Sequence, residues 1–203
     1  MSVRLSMNLV GGQFVAAESG RTIDVVDPAT DDVVGRVPAM SVADVARVFD
    51  AAEAGARVWK STGHIERGAV LLETARLIRE SSPELVELIV SEMGKTRAEA
   101  TGEVAGTAKF FEYYGGLGRL PYGDLLPDGR PDTFSTQIRE PLGVVLLITP
   151  WNDPLLTPAR KMAPALLTGN AVVIKPATDT PIILLRLAEL LQSAGLPDGV
   201  LGP

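Results

Sequence analysis

Two short apolar runs late in the chain constrain its fold more than any other feature. Residues 143–149 and 171–175 are almost continuous in Val, Leu and Ile, with an apolar helix-forming stretch over 154–167 between them. A strand that is apolar on both faces must be covered on both faces, which is the environment of a parallel sheet with helical crossovers. A helix is expected after the second run, with Thr180-Pro181 as cap and first-position residues and Gly195 closing it after Ala194. Strand–helix–strand–helix predicts an α/β fold with a Rossmann-like parallel sheet. The sequence stops at Leu201-Gly202-Pro203, where a further strand is due. The sheet is therefore expected to be incomplete, two parallel strands with unpaired edges and a tendency to aggregate.

A helical front precedes this sheet. Residues 22–26 and 32–37 read as short strands. Ser41 then opens a helix with Asp44 in the capping-box position, and Val45, Val48, Phe49, Ala52 and Trp59 share a face. A second helix is predicted over 65–80, with Leu71, Leu72, Ala75 and Ile78 turned inward. Ser82-Pro83 begins a third that stops at Gly94, and a fourth runs over 97–114. Residues 115–131 are rich in Gly and Pro and read as a long connection, followed by a strand over 133–139. Gly115-Gly116-Leu117-Gly118 follows a helix and lacks a third glycine, so it reads as loop rather than as a dinucleotide fingerprint.

Composition removes several functions. The net charge of −6 argues against a nucleic-acid footprint, and no apolar run approaches the length of a bilayer span. Residues 1–9 lack the apolar core of a secretory leader, so a cytoplasmic protein is expected. With no cysteine and one histidine, His64, the chain holds no disulfide, thiolate metal site or Cys nucleophile, and no His cluster. His64 reads as a polar residue at a helix start, and the Asp31-Asp32 pair as turn chemistry. Trp59 and the Phe110-Phe111, Tyr113-Tyr114 cluster read as core.

In an open parallel sheet, ligands bind beyond the carboxyl ends of the strands. Two segments lie there: Thr149-Pro150-Trp151-Asn152 and Lys175-Pro176-Ala177-Thr178. The first places a carboxamide, Asn152, on a loop bracketed by Pro150 and Pro154. A fixed N–H of this kind suits an oxyanion hole, which must be aimed before charge develops. The second places an ammonium, Lys175, at a strand end, suited to ribose hydroxyls or phosphate.

These segments belong to a longer pattern. Arg139-Glu140-Pro141-Leu142-Gly143-Val144-Val145, then Ile148-Thr149-Pro150-Trp151-Asn152, then Ala163-Pro164-Ala165-Leu166 with Gly169-Asn170, then Val173-Ile174-Lys175-Pro176-Ala177 resembles the aldehyde dehydrogenase superfamily in order and spacing. The likeness covers 139–199, and Asp27-Pro28-Ala29-Thr30 and Glu92-Met93-Gly94-Lys95 extend it less specifically toward the front. It implies the N-terminal part of that fold. Residues 1–122 would form the helical part of the cofactor domain, 123–141 a bridging, oligomerising strand segment, and 142–203 the first β-α-β part of the NAD(P) sheet.

The resemblance also implies chemistry. Family members oxidise an aldehyde to an acid through a cysteine thiohemiacetal and pass hydride to NAD or NADP. Asn152 matches the side-chain oxyanion donor. Ile148, Thr149, Pro150 and Trp151 match the wall that meets the cofactor, Lys175 matches the lysine on the adenosine ribose, and Pro176 and Ala177 line the same groove. Lys161 matches a lysine near the active site. Thr178 stands where NAD-preferring members carry a glutamate, so acceptance of NADP is expected, unless Asp179 turns inward. The implied substrate is a small aldehyde, with semialdehydes and aromatic aldehydes hinted at, and the complete protein would be a homo-oligomer without metal, membrane or nucleic-acid partners. The family's catalytic cysteine and glutamate lie beyond the matched region, so this chain is expected to be a fragment, inactive alone. The alternative is a non-catalytic nucleotide-binding or oligomer-partner fragment.

Overall fold

The computed structural model describes residues 4–120 and 123–203. Residues 1–3, within the 1–9 stretch expected to carry no leader, lie outside the described residues, as does the pair 121–122 at the first expected domain boundary. Five short strands come first: β1 (Arg4–Leu5), β2 (Asn8–Val10), β3 (Gln13–Val15), β4 (Thr22–Val26) and β5 (Val33–Pro38). β2 and β3 form an antiparallel hairpin. β5 lies between β1, to which it is parallel, and β4, to which it is antiparallel.

Four helices follow: α1 (Val42–Ser61), α2 (His64–Glu80), α3 (Ser82–Met93) and α4 (Arg97–Gly116). α1 starts with the expected capping box. Ser41 Oγ accepts the Asp44 N–H at 3.2 Å, and the Asp44 carboxylate accepts the Ser41 N–H at 2.8 Å. Val48, Ala52 and Trp59 are buried as expected, whereas Val45 borders an open groove and Leu72 lies at the edge of the α2–α4 contact, both substantially exposed. Ser82 is the first residue of α3 rather than its cap, and the preceding Ser81 makes no side-chain cap bond. Gly94 closes α3 at φ 79°, a left-handed conformation that glycine adopts without a Cβ clash.

The stretch expected to be a long connection is more ordered than its composition suggests. α4 continues to Gly116, and a 3₁₀ turn (Leu117–Arg119) follows. The glycines there serve packing. A Cβ on Gly115 would lie 2.8 Å from Leu72 Cγ and 3.0 Å from the Gly68 carbonyl oxygen, so α2 and α4 meet backbone to backbone. Beyond it, β6 (Gly123–Leu126) pairs antiparallel with β7 (Ser135–Ile138), the strand expected over 133–139. Backbone pairing satisfies β6 whatever its side chains, and Leu125 and Leu126 remain exposed. The aromatic cluster also divides: Phe111 is fully buried, whereas Tyr113 is exposed.

The last part alternates as predicted: β8 (Val144–Ile148), α5 (Leu156–Leu167), β9 (Ala171–Lys175), α6 (Ile182–Ser193) and β10 (Leu201–Gly202). The sheet is parallel in the order β10-β9-β8, so the expectation of only two strands is corrected. Leu201 and Gly202 already pair with Val172 and Val173, but two residues are too few to show any period. β9 is central and its first four residues are buried. β8 leaves Leu146 and Ile148 more than half exposed, at 51% and 63%.

The start of α6 also departs from expectation. Pro181 occupies the cap position, and the buried Thr180 hydroxyl finds no hydrogen-bond partner among the described residues. Instead, Glu92 of α3 accepts the N–H groups of Ile182 and Ile183. One apolar core runs from Leu71, Ile78 and Phe111 of the helical front to Leu166, Val172 and Leu191. Within it, Trp59 Nε1–H donates to the Leu166 carbonyl at 2.7 Å and ties α1 to the end of α5.

Candidate functional site

β8 and β9 end side by side, with Ile148 paired opposite Lys175. One residue on, the Thr149 N–H donates to the Lys175 carbonyl at 3.2 Å, so the loops after both strands leave from one edge. Parallel register therefore juxtaposes the two segments singled out in the sequence. A groove of about 420 Å³ opens at this edge, with Ile148, Lys175, Pro176, Ala177 and Thr178 on its wall. Val45 and Phe49 of α1 line it across from the strands, and among the described residues its polar side chains are Asn8, Lys175 and Thr178. Lys175 is exposed, and its ammonium donates to the Pro176 carbonyl at 3.2 Å.

Thr178 also borders a second cleft of about 450 Å³, with Asp24, Glu92, Trp151, Asp179 and Thr180. Asp179 lines this second cleft and not the groove that holds Lys175. Thr149 is buried, while Pro150, Trp151 and Asn152 are exposed. Asn152 lines neither cleft, so the structure brings five of the nine expected site residues into one groove and leaves the Asn152 loop beside it. Lys161 sits exposed on α5, next to Arg160, whose guanidinium lies 5.4 Å from the Phe110 ring centre.

The Asn152 loop is held by residues to which the sequence reading assigned no role. Glu103 of α4 accepts the N–H groups of Leu155 and Leu156 at 2.8 and 3.1 Å, capping the start of α5. Its other carboxylate oxygen accepts from the Lys95 ammonium at 2.6 Å, and the same ammonium donates to Asp153 at 2.8 Å. Burial pulls the Lys95 pKa down, but the hydrogen bonds to Asp153 and Glu103 outweigh it and hold the group above its ordinary value. A signal existed: Glu103 falls in the stripe of Ala100, Val104, Thr107 and Phe111, a lone carboxylate on the buried face of a helix.

A family model described as the aldehyde dehydrogenase family matches residues 14–202. The chain belongs to the aldehyde dehydrogenase family. It is 40% identical over 192 residues to the glutarate-semialdehyde dehydrogenase of Pseudomonas putida, covering 95% of this chain and 40% of that protein. Identity to the NADP(+) succinate-semialdehyde dehydrogenase of Escherichia coli is 38%, with 95% of this chain and 40% of that protein covered. An aldehyde dehydrogenase crystal structure from Brucella melitensis biovar abortus superposes with a TM-score of 0.95 at 38% identity, over 97% of this chain and 41% of that one. This chain thus spans about 40% of the length of the curated relatives it matches, and the aldehyde dehydrogenase fold it shares with them is the N-terminal part.

Proposed function

We propose that these residues form the nucleotide-binding front of an aldehyde dehydrogenase that oxidises a semialdehyde to a carboxylic acid with NADP or NAD. The observation that carries the reading is the groove at the β8–β9 edge. Apolar walls for a base and ribose surround one ammonium, one hydroxyl and the Asn8 carboxamide, at a volume typical of small-molecule sites, about 300–1,000 Å³. An adenine nucleotide fits that donor set, with Lys175 on the ribose, Pro176 and Ala177 on the groove wall, and Ile148, Thr149, Pro150 and Trp151 toward the nicotinamide. The bound nucleotide supplies a hydride acceptor.

Asn152 presents its amide N–H to the aldehyde oxygen and stabilises the charge that develops there. The chain contains no cysteine, so the attacking thiolate has to come from outside these 203 residues. On this reading the chain alone binds nucleotide and turns nothing over. Thr178 favours NADP, because no carboxylate repels a 2′-phosphate and Asp179 lines the other cleft. The semialdehyde class rests on the two relatives named for such substrates.

The test is calorimetric titration of NADP and NAD into the 203-residue chain, alongside Lys175→Ala. Saturable binding that the substitution weakens supports the reading, and silence toward both nucleotides removes it. The expected division at 122/123 and 141/142, a cytoplasmic location and a homo-oligomer belong to the same proposal. The β6–β7 hairpin, with Leu125 and Ile138 exposed, is the surface suited to pairing copies. Ile138→Lys should lower the sedimenting mass, and an unchanged mass would exclude the hairpin as the contact.

A further inference from the structure

We infer that Lys95 is a positioning residue for the Asn152 loop, acting through Asp153 and Glu103. The inference rests on the proposed role of Asn152. Three observations carry it. Asp153 directly follows Asn152 and is gripped by an ammonium only 11% exposed, at 2.8 Å. Two residues further on, Leu155 and Leu156 are gripped by Glu103, whose side chain is 2% exposed. One ammonium joins both grips, because Lys95 also holds Glu103 at 2.6 Å.

The arrangement does more than cap a helix. A local Asp or Ser at the cap would satisfy the first N–H groups of α5 with no help from α4. Here the cap is delivered from the helical front, and the lysine beside it reaches past the cap to the exposed loop. The loop is thereby referenced to α4 rather than to its own helix. Two carboxylates converge on Lys95, and without the ammonium they would repel one another with Glu103 buried. Lys95 therefore keeps Asp153 against Glu103, and with it the backbone that carries Asn152. A carboxamide donor is useful only when its direction is set before charge appears, and a displacement of about 1 Å costs on the order of 10²-fold in rate.

The test compares Lys95→Met, Lys95→Arg and Asp153→Ala by residue-resolved hydrogen exchange in the 203-residue chain. Lys95→Met should speed exchange at Leu155, Leu156 and Thr157 by about tenfold or more, with Thr149 and the β9 amides unchanged. Lys95→Arg, which can span two carboxylates, should restore most of the protection. Asp153→Ala keeps the Lys95–Glu103 pair, so it separates the two possible roles. Loosening at 151–153 in Asp153→Ala supports positioning. Tight behaviour there, or acceleration spread evenly over α4 and α5, would make Lys95 a structural counterion only and overturn the proposal.

A second measurement holds whether or not the variants remain well folded alone. In a polypeptide that joins these residues to a cysteine-bearing remainder, Lys95→Met should lower kcat by about 10²-fold with nucleotide affinity kept. Unchanged kcat overturns the proposal. Wild-type nucleotide binding fails only if the functional reading fails, so the two failures are distinguishable.

Discussion

Glu92 Oε2 accepts the backbone N–H of Ile183 at 3.0 Å, across 91 positions of sequence. Its other oxygen takes the N–H of Ile182, so one side chain of α3 satisfies two of the orphan donors that begin α6. The carboxylate is buried at 3% exposure and sits at the positive end of the helix, where its charge is favourable. Glu92→Ala should cost about 2–3 kcal/mol, the worth of a buried charge-assisted pair, and Glu92→Gln, which keeps one acceptor, about 1 kcal/mol. Urea unfolding with an unchanged slope would read both. Equal losses in the two variants would show that the charge, which both remove, matters there rather than the acceptor that Gln keeps.

Asp44 makes the acid limb of the stability curve testable. The Ser41 N–H and hydroxyl, with further help from the Glu18 N–H and Arg47, hold its pKa at about 2, below the ordinary 3.8. A carboxyl depressed on folding stabilises the native state above its unfolded pKa and loses that contribution as pH falls through the folded value. The contribution should therefore be complete at neutral pH and fade from about pH 4 to about pH 2. Asp44→Asn should be less stable than wild type at pH 7, with the gap closing in that window. A gap that stays constant from pH 7 to pH 2 would refute the assignment.

What the sequence made legible follows from how local each cause is. Ser41 with Asp44, and Gly94 in its left-handed turn, act within a few residues, so α1 and the end of α3 could be placed from neighbours alone. β9 showed itself because both of its faces are buried, and β8 because its run is apolar even though Leu146 and Ile148 stay exposed. Thr180-Pro181 misled because its cap is supplied from 90 positions away, and no local pattern distinguishes a residue that is capped from one that caps. β6 was hidden for the converse reason: it is held by backbone pairing with β7, so a Gly- and Pro-rich composition did not exclude it. Ile148, Lys175, Pro176, Ala177 and Thr178 were found together because parallel register brings strand ends together. Glu103 was passed over because a charged residue inside an apolar stripe acquires a role only from the element opposite, and Lys95, quoted only as part of a motif, acquires its role from Glu103 and from Asp153, 58 positions away.

Trp59 joins the two halves of the core, and its indole makes that join measurable. Nε1–H donates to the Leu166 carbonyl, which also accepts backbone N–H groups at the end of α5, Gly169 among them, so removing the indole donor does not leave that oxygen bare. Trp59→Phe should therefore cost about 1–2 kcal/mol, a shift in Tm of about 2–8 °C for a chain of this size. Differential scanning calorimetry would show it as one transition moved down. Two separated transitions would mean instead that α1 to α4 and the β8–β10 sheet are independent units joined chiefly at this residue.

Thr178 is the position at which the nucleotide can be chosen. It borders the groove beside Lys175, exposed and neutral, and no acidic side chain among the described residues lines that groove. A carboxylate introduced there would meet a 2′-phosphate as like charge but could accept from both hydroxyls of an unphosphorylated ribose. Thr178→Glu should weaken NADP binding by about tenfold or more, near 1.4 kcal/mol, while NAD affinity holds or rises. Raising salt should shrink the NADP penalty, since a repulsion at an exposed site is screened. If Thr178→Glu weakens both nucleotides equally, the residue acts through the shape of the groove and the charge argument fails. Should it alter neither, the ribose lies elsewhere, and Lys175→Ala, read in the same titration, would show whether the groove is used at all.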